Sequence, residues 1–289
     1  KKYSDFFGVI CGNQNILFTN NDSIYETAIS LFNKGIKINA IVDIREDVNS
    51  AIVNKAKKIG IKIYNEYTIV DTKGYRRIEK VSIMKLSKDG QSVIGSKIEL
   101  PCDCLSVSGG WTPAVHLFTQ SGGKLKYREN DDVFLPNKYP SDQICIGSCN
   151  GEFDIKTIYE KFNSKIKDFL KIKKTGYEDL NVISLNEISK RNIWLLPSDR
   201  NAGKTKSFVD FQNDATAKDI KLALREGFRS IEHVKRYTTT GMGTDQGKLG
   251  NMHALGIISD TSGIKMSELG TTTFRPPYTP LTFGTIVGR

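Results

Sequence analysis

Apolar and polar residues near the start of the chain alternate in blocks of different spacing. Residues 16–19 form a short apolar run, and residues 20–23 form a polar turn with helix-capping side chains. Apolar side chains then recur at helical spacing until Gly35, and a second apolar run covers residues 38–43. The helical apolar positions are Ile24, Ala28, Leu31 and Phe32. A strand, a helix and a second strand in this order predict a parallel sheet.

The pattern then changes to shorter segments. Residues 50–59 favour a helix, and IKIYN, residues 61–65, favours a third strand. Three alternating segments follow, which predict an antiparallel meander; they cover residues 67–72, 76–86 and 96–108. The end of the last segment is apolar and runs into Gly109-Gly110, which indicates a strand returning to the central sheet.

The second half predicts more helix than strand. SDQICIGSCNGEF, residues 141–153, predicts a strand that ends in a turn of small residues, and residues 155–171 favour a helix. A polar, irregular connector follows up to residue 206. Asp214 and Thr216 can cap a helix that Gly227 stops, and two more helices are expected at 230–238 and from 248 onwards. These three helices predict a small α-rich module.

Composition excludes several functional classes. The chain has 289 residues, 38% of them hydrophobic, and a net charge of +10 at pH 7. Its lysines are scattered, without a basic stripe interleaved with aromatic residues, so we expect no nucleic-acid partner. No run approaches 18 apolar residues, and we expect no membrane span. The chain starts on Lys and ends in mid-pattern, so we expect an internal piece of a longer polypeptide.

Cysteine and histidine usage argues against metal chemistry. The five cysteines, an odd number lying mostly in apolar runs, indicate reduced, buried thiols in a cytoplasmic protein. Cys102 and Cys104 are too close in sequence for a C-x-x-C pair, and the three histidines lie far apart. We therefore expect no metal site and no catalysis by protein side chains alone.

The turn after the first strand lacks the features of a dinucleotide site. Such a site needs G-x-G-x-x-G so that the backbone approaches the pyrophosphate. Residues 19–24 here read Thr-Asn-Asn-Asp-Ser-Ile, with no glycine and one carboxylate. Asp43 ends the second strand, where such folds place a ribose-binding acid. Without a phosphate cradle, we expect Asp43 to be a surface acid, with ribose binding as the alternative.

Three motifs together carry a family resemblance. They are NILFTNNDSIYETA, SGGWTPAVHLFTQSGGKL and FVDFQNDATAKDIKLALREGFRSIEHVKRYTTTGMGTDQGK. In this order they resemble the α subunit of heterotetrameric sarcosine oxidases. That resemblance implies the oxidative demethylation of sarcosine to glycine, with the one-carbon unit passed to tetrahydrofolate. The alternatives are a subunit of a related N-methyl amine oxidase or dehydrogenase, and a stand-alone NAD(P)H-dependent flavoprotein reductase.

The resemblance also implies an architecture. It implies an α/β, FAD/NAD(P)-binding Rossmann-like fold of the disulfide-reductase type over residues 1–172, with an NAD-like subdomain at 12–100. A linker at 173–206 would follow. Residues 207–270 would form a small 2Fe-2S-ferredoxin-like module, related to bacterioferritin-associated ferredoxin (BFD-like). Residues 271–289 would lead into a folate-binding, aminomethyltransferase-like domain.

The module would keep its scaffold without its cluster. A 2Fe-2S cluster needs four thiolates, and the four thiol positions of the related modules fall on Asp210, Gln212, Asp245 and Gly250. The resemblance further implies FMN between the α and β subunits, FAD in β, and γ and δ as further partners. We predict that the glycine-rich loop TTTGMGTDQGK, residues 238–248, forms the α side of the FMN pocket, or else that it is only a tight turn. The residues assigned to FMN are Thr238, Thr239, Thr240, Gly241 and Lys248.

An NAD molecule is also implied for the α subunit. The candidate contact is the turn IGSCNGEFD, because a strand followed by a helix N-terminus can face a pyrophosphate. The residues assigned to NAD are Gly147, Ser148, Gly151 and Phe153; a plain strand-to-helix turn is the alternative. We expect His116 to be a core or interface histidine, and Trp111 to pack against the sheet.

Overall fold

The computed structural model describes residues 1–46, 48–140, 142–171, 191–200, 205–277 and 279–288. The chain divides into two compact units. The first comprises Lys1–Trp111 and the described part of Asn186–Thr205, and the second comprises the described parts of Thr112–Leu185 and Lys206–Arg289. Within these ranges no helix is long and apolar enough to cross a bilayer.

A four-stranded parallel sheet organises the first unit. Its strands stand in the order β3-β2-β1-β7. The elements up to this sheet's last strand are α1 (Lys2–Phe7), β1 (Asn15–Thr19), α2 (Ser23–Asn33), β2 (Ile38–Asp43), α3 (Ala51–Lys58), β3 (Ile63–Asn65), β4 (Tyr67–Lys73), β5 (Lys80–Leu86), β6 (Val93–Pro101) and β7 (Cys104–Ser108). Parallel strands joined by helices confirm the predicted α/β Rossmann-like fold.

Both faces of the sheet are covered, because apolar side chains in the central strands β1 and β2 point to each face. Leu17 and Ile41 point to one face, where they pack with the apolar sides of α2 and α3. Ile16 and Val42 point to the other face, where they pack with β5 of the meander. All four side chains are fully buried, and continuous apolar strands of this kind are typical of a sheet covered on both sides.

The meander and the returning strand are as predicted. Strands β4, β5 and β6 form an antiparallel three-stranded sheet. Strand β7 then pairs in parallel with β1, from Asn15 opposite Cys104 to Thr19 opposite Ser108. Because β1 lies between β2 and β7, the strand order reverses at β1, and open α/β sheets bind ligands at such a switch point.

Part of the predicted connector packs on the first unit. Residues 172–190 and 201–204 of that connector lie outside the described residues. Within residues 191–200, Ile193 and Leu196 pack against the apolar cluster formed by the sheet and the meander. The Arg191 guanidinium donates to the carbonyl oxygens of Ile44 at 3.0 Å and Lys88 at 2.8 Å.

The second unit contains short strands and a group of helices. Its elements are α4 (His116–Gln120), β8 (Lys124–Arg128), β9 (Val133–Lys138), a 3-10 turn (Gly147–Asn150), α5 (Ile155–Leu170), β10 (Phe208–Asp210), β11 (Ala215–Thr216), α6 (Ala217–Arg225), α7 (Ile231–Thr238), α8 (Asn251–Ser262), α9 (Met266–Leu269) and α10 (Phe283–Ile286). Residues 142–146 form no strand, so the strand predicted there is wrong. The β8–β9 hairpin was not predicted.

In the α-rich module, α6 and α7 begin close to their predicted starts, and α8 begins at Asn251, three residues later than predicted. Thr216 caps α6 with a capping box: its hydroxyl accepts the Asp219 N–H, and the Asp219 carboxylate accepts the Thr216 N–H at 2.8 Å. Helices α6, α7 and α8 bury Ile220, Val234 and Leu255 in one core. This core holds the glycine-rich loop between α7 and α8.

Candidate functional site

The carboxyl ends of β1 and β2 hold a buried cluster of charges. Asp43 is fully buried, which corrects the expectation of a surface acid. Its carboxylate accepts from the Tyr25 hydroxyl at 2.8 Å and from Arg45 Nη2 at 2.7 Å. Arg45 Nη1 also lies 2.8 Å from Asp22 Oδ1. Burial alone would lower the pKa of Arg45, but the hydrogen bonds that Arg45 donates to Asp43 and Asp22 raise it. Asp43 therefore serves an internal ion network and is neither the expected surface acid nor open to the alternative, a ribose.

The turn after β1 is also filled by the chain itself. The Asn21 side chain accepts the Ser23 N–H at 3.0 Å and donates to the Ser108 carbonyl at 3.3 Å. The Asn20 side chain donates to the Arg191 carbonyl at 3.1 Å, and the Arg191 N–H donates back to the Asn20 carbonyl at 3.3 Å. These side chains occupy the switch point between β1 and β7, so the geometry agrees with the absence of a pyrophosphate loop in the sequence.

The turn assigned to NAD is a 3-10 turn followed by a helix. Gly147 and Gly151 both have positive φ, 82° and 73°. A Cβ at Gly151 would lie 2.7 Å from Leu135 and 2.9 Å from Arg128 Nη2, so the β8–β9 hairpin supports this turn from behind. Ser148 and Phe153 are exposed. The structure thus offers Ser148 and Phe153 as the accessible part of the turn, with the two glycines shaping it.

The N-terminus of α5 has a carboxylate of its own. Asp154 Oδ2 accepts the Thr157 N–H at 3.0 Å and the Thr157 hydroxyl at 2.8 Å. Glu152 forms an ion pair with Lys161 at 2.8 Å in the same stretch. A phosphate placed directly on this helix end would be repelled by the Asp154 carboxylate. Any nucleotide contact at this turn therefore has to involve its exposed side chains and not the helix N-terminus.

The glycine-rich loop of the second unit is built around Asp210. One carboxylate oxygen of Asp210 accepts the Gly241 N–H at 2.6 Å, and the other accepts the N–H groups of Gln212 at 2.8 Å and Asn213 at 3.0 Å. Burial acts to raise the pKa of Asp210, but these donors lower it below its ordinary value. A carboxylate therefore occupies the anion nest that the loop backbone forms.

The other expected thiol positions lie around the same nest. Gln212 Oε1 accepts the Asp245 N–H at 3.2 Å, which joins two of them. A Cβ at Gly250 would lie 2.4 Å from the Val209 carbonyl oxygen, so this position is closed to a larger side chain. The residues present do not fit an iron–sulfur cluster, because oxygen and amide groups bonded to the loop stand where thiolates are required. Among the residues described, no group of three or more metal-ligating side chains occurs.

The residues assigned to FMN divide into two groups. The hydroxyls of Thr238 and Thr240 are buried and lie 2.7 Å from each other, and the Gly241 N–H is bound to Asp210. Thr239 is exposed and has φ of 60°. Lys248 is half-buried, and its charge acts on His116. Thr238, Thr240 and Gly241 thus bond within the loop, whereas Thr239 and Lys248 lie nearer its surface.

His116 and Phe274 lie below the loop. His116 is 7% exposed, which agrees with the expected core or interface position, and its ring centroid lies 3.8 Å from that of Phe274. Burial, together with the charge of Lys248, lowers the pKa of His116 to about 4. Trp111 is 62% exposed, so its predicted packing against the sheet is wrong.

Comparison with known proteins decides the family. Residues 204–289 match the family model of the sarcosine oxidase A3 domain. The sarcosine oxidase subunit alpha of Corynebacterium sp. (strain P-1) is 31% identical over 299 residues, which cover 100% of this chain and 30% of that protein. Over its whole length the chain is similar to sarcosine oxidase alpha subunits. The resemblance read from the three motifs is therefore confirmed.

A second relative of the sarcosine oxidase segment gives the same result. The sarcosine oxidase subunit alpha of Rhizobium meliloti (strain 1021) is 33% identical over 300 residues, covering 100% of the chain. The chain spans only 28% of that protein's length. Among solved structures, L-proline dehydrogenase from P. horikoshii aligns with a TM-score of 0.57 and 17% identity, over 99% of this chain and 52% of that one. This last likeness supports the fold.

Sequence reasoning missed three residues that organise these places. Arg45 and Tyr25 bind Asp43, and Arg191 binds the turn after β1 from far along the chain. The signal for Arg45 was present, since a basic residue two positions after a strand-terminal acid can fold back on it. Arg191 gave no local signal, because its partners are more than a hundred residues away.

Proposed function

We propose that this chain is the part of a flavin-dependent sarcosine oxidase α subunit that contributes NAD binding, one wall of the FMN pocket and a contact surface for partner subunits. The observation that carries this proposal is the 31% and 33% identity to sarcosine oxidase alpha subunits along the whole chain. The complex would oxidise sarcosine to glycine in the cytoplasm and pass the one-carbon unit to tetrahydrofolate. The β, γ and δ subunits would be its partners, with FAD in β.

The domain boundaries of the proposal follow the α-subunit family. Residues 1–172 would form part of an FAD/NAD-type domain of the disulfide-reductase type, and residues 207–270 a BFD-like module without a cluster. The helices of that stretch and the approach of Asp210, Gln212 and Asp245 to one loop support the second assignment. Residues 271–289 would lead towards a folate-binding domain, and 173–206 would connect the two parts.

For NAD, the proposal assigns two roles to the turn at residues 147–153. Ser148 and Phe153 are exposed, and they would contact the nucleotide by a hydroxyl and by ring stacking. Gly147 and Gly151 would keep the turn in the left-handed conformation that exposes these side chains. NAD would supply a nicotinamide able to accept or donate hydride, and none of the residues assigned here takes part in that chemistry.

For FMN, the proposal assigns contact to Thr239 and Lys248. The ammonium group of Lys248 would bind an anionic part of the flavin. The Thr239 hydroxyl donates to the Thr238 carbonyl oxygen, and its oxygen would accept a hydrogen bond from the flavin. Thr238, Thr240 and Gly241 would hold these two side chains in position through their buried hydrogen bonds. FMN would supply one-electron and two-electron redox chemistry at this wall, and the chain would orient it and exclude water.

Replacing Lys248 with Ala in the full-length subunit within its native assembly tests this function. We expect a clear fall in flavin content per complex, measured by absorbance after denaturation, with Lys265→Ala as a control on an exposed lysine of the same unit. In the unmodified assembly we expect two flavins, NAD, no inorganic sulfide and sarcosine-dependent turnover. Unchanged flavin content in Lys248→Ala would remove the FMN assignment. Turnover of another N-methyl amine in place of sarcosine would change the substrate assigned to the complex.

A stand-alone NAD(P)H-dependent reductase is disfavoured by the first unit. Such an enzyme needs a second nucleotide loop after β1. Here Asn20 and Asn21 fill that position and Arg45 ties up Asp43. Rapid reduction of the full-length subunit's flavin by added NADH would instead favour a stand-alone reductase.

A further inference from the structure

A cavity of about 360 Å³ opens in the second unit beside the glycine-rich loop. Helix α7 contributes Glu232, Lys235 and Arg236 to its lining, and the segment after α9 contributes Thr271, Thr273 and Arg275. Three cations thus share the cavity with one carboxylate. Its volume falls at the small end of the range for small-molecule sites.

The single carboxylate is already engaged by its neighbours. Glu232 Oε2 lies 3.2 Å from Arg236 Nη1, and Glu232 Oε1 accepts the Thr273 N–H at 3.2 Å. Within the part of the chain that the structure describes, Lys235 and Arg275 have no acidic partner within 4 Å. The cavity therefore carries two positive charges that no carboxylate balances.

The position of Arg275 is fixed by a side chain of the loop. The Arg275 N–H donates to Gln246 Oε1 at 2.8 Å. Gln246 Nε2 donates to the carbonyl oxygens of Arg275 at 2.8 Å and Pro277 at 3.0 Å. Lys235 is fixed by its place in α7. Because both cations stand on constrained backbone, a ligand that binds between them has to order only their side chains.

We infer that this cavity binds a phosphate group, carried by a phosphate ester or present as the free ion. Such a group is a dianion at neutral pH with three strong acceptor oxygens, and arginine and lysine are its usual protein partners. The hydroxyls of Thr271 and Thr273 add donors at the wall. Met242, which is 56% exposed and also lines the cavity, gives an apolar surface for the organic part.

Two sources can supply this phosphate. The first is the FMN assigned to the same loop, and for that source the inference rests on the proposed function. The second is free inorganic phosphate, which needs no flavin. Both would engage Lys235 and Arg275, so the experiment has one arm for each.

The test uses the full-length subunit in its native assembly, as wild type and as the Lys235→Gln, Arg275→Gln double variant. Arg229→Gln is the matched control, since Arg229 is an exposed arginine of the same unit outside the cavity. In the first arm, ³¹P NMR follows the flavin phosphate with pH. We expect it to titrate below its ordinary pKa of about 6 in wild type and in the control, and near about 6 in the double variant. In the second arm, calorimetry with inorganic phosphate is expected to show about tenfold weaker binding in the double variant.

The outcomes separate this inference from the proposed function. A shift of the flavin signal alone assigns the cavity to FMN, and weakened binding of inorganic phosphate alone assigns it to the free ion. Unchanged values in both arms, in an assembly that contains flavin and turns over sarcosine, would refute phosphate binding by the cavity. The proposed function would not be affected by that result. An assembly without flavin that still loses phosphate binding in the double variant would support the cavity and refute the FMN assignment.

Discussion

The two units of this chain each fill a ligand-type turn with their own side chains, and they do so in electrostatically opposite ways. In the first unit, Arg45 stands between Asp22 and Asp43, so buried charges of both signs neutralise each other. In the second unit, Asp210 is held by the neutral N–H groups of Gln212, Asn213 and Gly241. The first turn is held by ion pairs, and the second by a single anion in a backbone nest.

The difference teaches how each region responds to damage. A mixed-charge network resists change until one member is removed, which then leaves its partners buried and uncompensated. A lone carboxylate bound by amides has no cation to lose, but it depends on remaining ionised. Mutation should therefore be the more severe test for the first unit, and acid the more informative test for the second.

The largest effect is expected from Arg45→Ala. Loss of the guanidinium leaves the buried carboxylate of Asp43 and the partly buried carboxylate of Asp22 without their cation, at a cost of about 3–5 kcal/mol. We expect much faster amide hydrogen exchange in β1 and β2, measured on the full-length protein by mass spectrometry. Arg76→Ala, at an exposed arginine of the same unit, is the control. Exchange as slow as in the control would show that the network is not what holds this turn.

The second largest effect is expected at low pH, where protonation of His116 destabilises the second unit. Burial and Lys248 lower its folded pKa to about 4 from an ordinary 6.5. Between these values the unfolded chain binds a proton that the folded chain does not, so stability is complete above pH 6.5 and falls as the pH drops towards 4. The loss is at most about 3 kcal/mol. Thermal melts of the second unit's transition from pH 7 to pH 4 should show it, and His116→Phe should flatten the dependence. A slope that persists in His116→Phe would assign it to other groups.

A smaller effect is expected from Asp210→Asn. The amide keeps one acceptor oxygen but turns its NH₂ group towards backbone donors, at a cost of about 2 kcal/mol. Since the folded pKa of Asp210 is lowered, the wild-type advantage should hold above about pH 4 and vanish as the carboxylate protonates at lower pH. Denaturant titration at two pH values measures this, with Asp214→Asn at an exposed aspartate as the control. Equal stabilities of the two variants at neutral pH would contradict the role of the nest.

Local sequence signals predicted most elements of both units. The apolar run at Ile38–Asp43 matches β2 at both ends, and the Thr216 capping box starts α6 as expected. Such features depend on neighbouring residues only. The strand expected at 142–146 was wrong because an apolar run does not reveal whether a pairing partner is present.

The candidate sites were predicted in outline and missed in detail. The missing glycines of the first turn and the missing thiols of the module could be read directly. The burial of Asp43 and the hydrogen bonds of Asp210 could not, since they depend on Arg45, Gly241 and other groups brought together by the fold. The cationic cavity could not be predicted for the same reason, because Lys235 and Arg275 are forty residues apart in sequence.

The late contribution of residues 191–200 to the first unit has a consequence for biosynthesis. The ribosome releases Lys1–Trp111 long before it delivers the guanidinium that closes on Ile44 and Lys88. Until that segment emerges, the carboxyl end of β1 at Asn20 is exposed to solvent, and its amide groups are hydrated. We expect the nascent first unit to stay susceptible to proteases and attractive to chaperones over this interval, and to become resistant once translation has passed residue 200.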